Sequence, residues 1–264
     1  MRCAYGLGMS SLIRLHIDAP LAEGGKAPLS RAQVHYLKNV MRRGEGDPLA
    51  AFNGRDGEFA ATIESLGRKA GAVALGARRR APELEPDLWL AFAPVKRAAL
   101  DAIVQKGTEL GVARFLPVMT ARANAARINE DRLTAIACEA AEQCGRLSVP
   151  AAAPLRPLAA MLDEWPAGRR LMYCDEAGDS PNEEWGGRAG RAAPALEALK
   201  AAQPGPWAIL IGPEGGFAPD ERARLRGLDF VTPVTLGPRI LRADTAAIAA
   251  LTLWQGALGD LRRA

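Results

Sequence analysis

The stretches 207-WAILIGPEGGF-217 and 231-VTPVTLGPRILRADTAAIAA-250 decide the fold. Their apolar runs, Trp207–Ile211 and Val231–Leu236, each end at a glycine, as buried parallel strands do where they lead into tight loops. Three glycines in the loop 212–216 let its backbone approach a ligand closely. The second loop ends at Asp244-Thr245, which we predict to cap the next helix. Open α/β sheets bind ligands where loops leave the carboxyl ends of neighbouring strands, so these two loops predict an active site.

The chain beyond residue 87 alternates predicted strands with predicted helices, which is typical of a parallel sheet covered on both faces. Besides the two runs above, the predicted strands are Leu88–Ala93, Val112–Met119 and Leu171–Cys174, and the predicted helices are Arg97–Leu110, Asp131–Gln143, Ala195–Ala202, Pro219–Arg226 and Thr245–Leu258. In the last helix, four apolar residues recur on one side, which burial in the core and a subunit interface explain equally well. Glycine, proline and charge in 175–194 predict a mobile surface loop, either a lid or a tolerated insertion.

Residues 11–80 are predicted to form a separate, compact β-barrel, because short strands recur with glycine turns. The predicted elements are strands at Leu12–Ile17, Pro48–Phe52, Glu58–Ile63 and Ala70–Ala77, and a helix capped by Ser30 that runs to Val40. Proline and polar residues in 81–87 predict a boundary with a second domain at 88–264. The basic residues Lys38, Arg42, Arg43 and Arg78–Arg80 fit an RNA-contacting face and a solvated charged face equally well.

Composition excludes several classes of protein. No run of 18 or more apolar residues and no secretory leader is evident, so we expect a cytoplasmic protein without a membrane span. The four cysteines form no CxxC pair and both histidines precede residue 36, so we expect no metal. The 212–216 loop lacks the Gly-Lys-Ser/Thr and GxGxxG patterns that hold nucleotide phosphates, which disfavours a nicotinamide oxidoreductase. Close contact with an adenine or ribose remains open, and so does a simple tight turn.

Four motifs of the second domain occur together: 105-QKGTELGV-112, 137-ACEAAEQCGR-146, 211-IGPEGGF-217 and 236-LGPRILRADTA-246. The first domain adds 35-HYLKNVMR-42, then Gly46-Asp47 and Phe52-Asn53-Gly54. In this order they closely resemble the RsmE-like ribosomal RNA uracil-N3 methyltransferases of the SPOUT superfamily, over about residues 12–260. The resemblance implies a PUA-like β-barrel followed by a SPOUT α/β domain whose C-terminal segment threads a trefoil knot, an exception to unknotted topology.

The same resemblance implies a function. Such enzymes bind S-adenosylmethionine, act as homodimers and methylate N3 of uridine 1498 in the usual numbering of 16S RNA. The expected partners are therefore small-subunit ribosomal RNA, either free or in the assembled small subunit, and a second copy of this chain. The alternative is a non-catalytic RNA-binding or ribosome-assembly factor with the same fold.

The resemblance also implies site residues. Cofactor contacts are expected from Leu210, Ile211, Gly212, Gly215, Gly216, Leu236, Gly237, Ile240, Leu241, Thr245 and Ala246, and RNA contacts from Arg42, Arg43, Lys106, Arg122, Gln143 and Arg146. Arg242 or Arg239 could stabilise the negative charge that develops on uracil O2 and O4. Asp244 and Glu214 are the candidate proton acceptors, although Asp244 could simply cap its helix and Glu214 could simply fix its own loop. Many relatives carry Glu at the position of Asp244.

Overall fold

The computed structural model describes residues 12–68, 70–123, 127–180 and 182–262. Residue 11, at which the first predicted domain begins, and residue 264, at which the second ends, lie outside these ranges. The chain forms two compact units, one of residues up to Leu84 together with Ala141–Val149, and one of Glu85–Ala140 together with Pro150 onward.

The first unit is built on a five-stranded sheet in the order β1-β3-β4-β5-β2, antiparallel except for the β1–β3 pair. Its elements are β1 (Arg14–His16), β2 (Lys26–Leu29), α1 (Arg31–His35), a π-helical turn (Tyr36–Val40), β3 (Pro48–Asn53), β4 (Gly57–Leu66) and β5 (Gly71–Arg80). The predicted helix start is confirmed, since Ser30 caps α1 and Gln33 closes a capping box. Strand β2 was not predicted, because it is a short edge strand that contains Pro28.

The segment 141–149 packs within this first unit. Ala141 and Leu147 bury their side chains in a cluster with Phe52. The Arg14 guanidinium donates to the carbonyl oxygens of Ala141 (2.7 Å) and Glu142 (3.0 Å) in the last turn of a helix, and to that of Arg146 (2.9 Å) beyond it. These residues fall inside the range predicted as the second domain, and sequence periodicity carried no sign of this packing.

The second unit contains a sheet in the order β12-β10-β11-β6-β7-β8, in which every pair is parallel, as predicted. Its strands are β6 (Leu88–Phe92), β7 (Arg114–Met119), β8 (Ala151–Ala152), β9 (Arg156–Pro157, paired with β7), β10 (Arg170–Cys174), β11 (Trp207–Ile211) and β12 (Val231–Val234). Its helices are α2 (Arg97–Glu109), α3 (Glu130–Cys144, which ends in the first unit), α4 (Leu158–Asp163), α5 (Ala195–Lys200), α6 (Pro219–Arg226) and α7 (Ala243–Ala257).

Strands β11 and β12 are not neighbours in the sheet, so the expectation that the two motif loops leave neighbouring strands was wrong. Strand β10 lies between them and pairs with both. Strand order along the chain does not dictate order in the sheet, since a crossover can pass over a strand. Because all strands are parallel, the carboxyl ends of β10, β11 and β12 still meet at one edge of the sheet.

Helix α7 begins two residues earlier than predicted. Its N-cap is Arg242, whose side chain makes no capping hydrogen bond, and Asp244 lies in the first turn. The prediction that Asp244-Thr245 cap the helix was therefore wrong, because Arg242 already has the extended conformation of an N-cap. Of the predicted apolar side, Ala247, Leu251 and Trp254 are buried within this single chain, which supports the core-burial alternative.

The α/β fold with a parallel sheet is thus confirmed, whereas the C-terminal trefoil knot stays a prediction. Within the described residues, no helix is both long and apolar enough to span a membrane.

Candidate functional site

A cavity of about 510 Å³ opens at the carboxyl edge of the sheet in the second unit. Its lining comes from the loop after β10, the glycine loop after β11, and the residues from Ile240 into the start of α7, and Arg122 and helix α6 complete it. Its volume lies within the range of roughly 300–1,000 Å³ that is usual for small-molecule and cofactor sites. The predicted location of the site is therefore where the structure has a cavity.

The glycine loop packs closely against aromatic rings. A Cβ on Gly212 would lie 2.6 Å from the ring of Phe217, and Phe217 packs edge-on against Tyr173 with centroids 5.0 Å apart. Gly216 has a φ of +68°, and a Cβ there would lie 3.3 Å from the ring of Trp185. Glycine is thus required at 212 by close approach and at 216 by backbone conformation.

Arg122 holds the same loop from another segment. Its Nη1 donates to the carbonyl oxygen of Gly215 at 3.0 Å, and its side chain lines the cavity. The neighbouring Ala121 N–H donates to Glu221 Oε1 at 2.8 Å, while Glu221 Oε2 accepts from the Ala218 N–H at 2.9 Å. Glu221 therefore joins the residues around Arg122 to the start of α6.

A buried ion-pair cluster anchors the loop that follows β10. Asp175, which is 2% exposed, accepts from Arg222 Nε at 2.9 and 3.1 Å and from Arg226 Nε at 2.7 Å. Asp179 accepts from Arg222 Nη1 at 2.6 Å, and this bond holds the pKa of Asp179 below its ordinary value. Arg222 Nη2 donates to the Ala177 carbonyl oxygen. The loop is therefore fastened to α6 at several points.

Glu176 fastens the second motif loop. Its carboxylate lines the cavity and accepts from the Leu236 N–H and the Thr235 hydroxyl, each at 2.9 Å. Burial raises the pKa of Glu176, while these two hydrogen bonds oppose the shift. The carboxylate thus connects the end of β10 to the loop that leads to α7.

The structure brings most of the predicted cofactor residues together. The predicted cofactor residues that line the cavity are Ile211, Gly212, Gly215, Gly216, Ile240, Leu241 and Ala246, and those that do not are Leu210, Leu236, Gly237 and Thr245. Leu210 is fully buried in the sheet core, and Leu236 reaches the site only through its backbone bond to Glu176.

The predicted catalytic residues differ in their surroundings. Glu214 is exposed and lines the cavity, and among the described residues its carboxylate has no hydrogen-bond partner, so it does not fix its own loop. Asp244 Oδ1 accepts from the Thr245 N–H at 2.8 Å. Arg239 and Arg242 are both exposed on the loop before α7, outside the cavity lining, and within the described part of the chain neither forms an ion pair.

Of the predicted RNA contacts, four lie in the first unit: Arg42, Arg43, Gln143 and Arg146. Arg42 is exposed and Gln143 is exposed, whereas Arg146 is half-buried and its Nε donates to Ser148 Oγ. In the second unit, Lys106 pairs with Glu109 at 2.8 Å and Arg122 lies at the cavity.

Sequence reasoning left the loop after β10 open as either a lid or a tolerated insertion, and it did not name Arg222 and Arg226 as site residues. The available signal was Asp175-Glu176, two carboxylates directly after a buried strand. Across the ranges that the structure describes, no group of three or more His, Cys, Asp or Glu side chains is arranged to hold a metal ion.

Two family matches define the class of this protein. The family described as RNA methyltransferase domain matches residues 82–255, and the family described as RNA methyltransferase PUA domain matches residues 29–74. The chain is thus a PUA-containing member of the RNA methyltransferases.

Individual relatives narrow the class. The ribosomal RNA small subunit methyltransferase E of Rickettsia conorii is 33% identical over 90% of this chain and 93% of its own, and that of Bacillus subtilis is 31% identical over 83% and 86%. The chain belongs to the ribosomal RNA small subunit methyltransferase E family, which confirms the resemblance drawn from its motifs.

Solved structures agree with this assignment. The family member from Neisseria gonorrhoeae, bound to S-adenosylmethionine, matches with a TM-score of 0.79 and 25% identity over 94% of this chain and 99% of that one. A methyltransferase from Legionella pneumophila, in complex with the same cofactor, matches with a TM-score of 0.76 and 30% identity over 94% and 99%.

Proposed function

We propose that this protein transfers the methyl group of S-adenosylmethionine to N3 of a uridine, number 1498 in the usual numbering, in small-subunit ribosomal RNA. The observation that carries the proposal is the cavity in which two of the family motifs, the glycine loop and the loop before α7, converge. The proposal includes a homodimer and a cytoplasmic location, where ribosomal RNA is available either free or in the assembled subunit.

The residues around the cavity fit the cofactor. Ile211, Ile240, Leu241 and Ala246 provide apolar walls for a flat adenine, and the glycine loop offers backbone contact. Two relatives, from Legionella pneumophila and Neisseria gonorrhoeae, have structures with S-adenosylmethionine bound. When bound, the cofactor supplies an electrophilic methyl group on a sulfonium, which needs no metal.

The chemistry at uracil requires an accessible N3. This atom carries an imide proton on the Watson–Crick edge, so the base must be unpaired or flipped before it can react. Loss of the proton spreads negative charge onto O2 and O4. A guanidinium without an ion-pair partner is suited to stabilise that charge, and Arg242 and Arg239 meet this condition among the described residues.

The proton acceptor is Glu214 or Asp244 in this proposal. Glu214 lines the cavity and its carboxylate oxygens are available, whereas one oxygen of Asp244 is already bonded to the Thr245 N–H. The surroundings therefore favour Glu214, and transfer then requires only in-line positioning of the methyl group. Arg42, Arg43, Gln143 and Arg146 in the first unit, with Lys106 and Arg122 in the second, are the proposed RNA contacts.

The decisive experiment is primer extension on small-subunit RNA from cells with and without the gene for this protein. An N3 methyl blocks base pairing, so reverse transcriptase should stop at the target uridine only in cells that contain the protein. A stop that persists in the deletion strain would count against the proposal. Transfer of labelled methyl to purified RNA separates this function from a non-catalytic RNA-binding factor.

The role of Arg242 has its own test. Removal of a donor that stabilises developing charge typically lowers turnover by about 10²–10³-fold. We therefore expect Arg242→Ala to lose methyl transfer to this extent while it keeps its affinity for S-adenosylhomocysteine. The exposed Lys200 on α5 provides the control, since Lys200→Ala should retain activity. Wild-type turnover by Arg242→Ala would remove Arg242 from the mechanism.

A further inference from the structure

The loop between β10 and α5 owes its glycines to close backbone packing. A Cβ on Gly178 would overlap the carbonyl oxygen of Gly186, and a Cβ on Gly186 would overlap that of Gly178. A Cβ on Gly190 would overlap the carboxylate of Asp179. The loop is therefore a folded structure whose close contacts only glycine permits, which a merely tolerated insertion would not require.

Hydrogen bonds keep the folded loop against the cavity. The Asp179 N–H donates to the Ala189 carbonyl oxygen at 2.7 Å, and the Ser180 N–H donates to that of Gly186 at 2.8 Å. Arg226 Nη2, which belongs to α6, donates to the Gly190 carbonyl oxygen at 2.8 Å. Both ends of the loop are thus tied to the structure that surrounds the cavity.

Trp185 lies at the centre of this loop in an unusual conformation. Its φ is +54° and its ψ +26°, in the left-handed region that a bulky residue rarely adopts. The Gly178 N–H donates to its carbonyl oxygen at 2.9 Å and holds it there. Its half-buried indole lines the cavity beside Gly216. A strained conformation that the surrounding structure maintains is a feature of ligand-binding sites, and here it directs an aromatic ring to the cavity.

The other cavity aromatics are already engaged with each other. Tyr173 and Phe217 form an edge-to-face pair with an interplanar angle of 86°. Within the described residues, Trp185 stacks on no other ring and carries no cation over its face. Its indole is therefore the ring of this site that is available to a flat ligand.

We propose that Trp185 is a stacking platform for a nucleobase in this cavity. The base is either the adenine of the cofactor or the target uracil, since both present a flat π-face of the kind that tryptophan stacks on. The proposal rests on the function proposed above, because that function places both bases at this cavity.

The test compares Trp185→Leu, which is apolar but cannot stack, with Trp185→Tyr, which can. Binding of S-adenosylhomocysteine is measured by calorimetry, and binding of a single-stranded RNA oligonucleotide that contains the target uridine by anisotropy. Ligand-dependent quenching of tryptophan fluorescence is recorded in parallel, and the difference between wild type and Trp185→Leu isolates the signal of Trp185. Circular dichroism checks that both variants are folded.

Loss of one stacked base should weaken binding by about 5- to 150-fold, or 1–3 kcal/mol at 1.4 kcal/mol per tenfold. If adenine is the stacked base, Trp185→Leu loses this affinity for S-adenosylhomocysteine and only that ligand quenches Trp185. If uracil is the stacked base, the loss and the quenching occur with RNA. In either case Trp185→Tyr, which keeps a ring that can stack, loses clearly less affinity than Trp185→Leu.

Three results would overturn the stacking role: both variants bind both ligands as wild type does, neither ligand quenches Trp185, or Trp185→Tyr loses as much affinity as Trp185→Leu. In the last case the effect would come from the loop backbone. A wild-type protein that binds no S-adenosylhomocysteine would instead refute the proposed function, whatever the variants do.

Discussion

The ion-pair cluster between the loop after β10 and α6 makes a stability prediction with a built-in control. Asp175 and Asp179 share Arg222 as a partner, and both also lie near Arg226. The two carboxylates differ mainly in burial, since the Asp175 side chain is 2% exposed and that of Asp179 is 51% exposed. Asparagine at either position keeps the shape of the side chain and removes its charge.

The expected magnitude follows from that difference in burial. Removal of one partner from a buried ion pair costs about 3–5 kcal/mol, because an uncompensated charge remains. Arg222 keeps Asp179 as a partner and Arg226 is partly exposed, so we expect the lower end, about 3 kcal/mol, for Asp175→Asn. Solvent screens the Asp179 pair, so Asp179→Asn should cost much less. For a protein of this size, 3 kcal/mol lowers the melting temperature by roughly 6–12 °C.

Urea unfolding followed by tryptophan fluorescence measures the loss of stability in each variant directly. All 5 tryptophans lie between residues 89 and 254, so their emission reports on the second unit. At a slope of 2–3 kcal/mol per molar urea, Asp175→Asn should lower the midpoint by about 1 M or slightly more. If its midpoint falls no further than that of Asp179→Asn, burial of the pair is not what fastens the loop, and the reasoning fails.

Two further changes test the other cavity contacts. Burial raises the pKa of Glu176 above its ordinary value of 4.5, so Glu176 contributes to the stability of the fold below pH 4.5, and this contribution is lost as pH rises through the folded-state pKa. Over that pH range, wild type should lose stability relative to Glu176→Gln. Parallel pH profiles of thermal unfolding for the two proteins would contradict this. Gly212→Ala places a Cβ 2.6 Å from Phe217 and should cost about 1–3 kcal/mol of unfolding free energy, with weaker calorimetric binding of S-adenosylhomocysteine. Gly215→Ala is its stability control, since that Cβ makes an ordinary 3.5 Å contact with Arg122, and equal stability of the two variants would refute the packing argument.

Local patterns predicted those parts of the fold that local physics determines. Apolar runs that end at glycines marked β11 and the segment around β12, and Ser30 marked the start of α1. Two short elements were not predicted, β2 and α4; β2 is an edge strand that contains Pro28, a residue that disfavours a strand. The start of α7 was misplaced because capping preference favoured Asp244, whereas the backbone turns into the helix at Arg242.

Contacts between distant residues account for what the sequence could not show about the site. Asp175 and Arg222 are 47 residues apart, and no periodicity relates them. The same holds for Trp185 and Gly216, which belong to loops on different strands. A stretch rich in glycine and charge has the composition of a solvated loop, whether or not close packing requires its glycines. Composition alone therefore could not decide between a lid and a tolerated insertion.

The order of the sheet explains why the loop after β10 is essential to the site. Strand β10 lies between β11 and β12, so its carboxyl end adjoins both motif loops. The two residues directly after β10 bind different partners. Asp175 binds the arginines of α6, which follows the glycine loop, and Glu176 binds the backbone of Leu236 in the second loop. Two adjacent carboxylates therefore join α6 and the second motif loop to the end of β10, although they belong to none of the family's motifs.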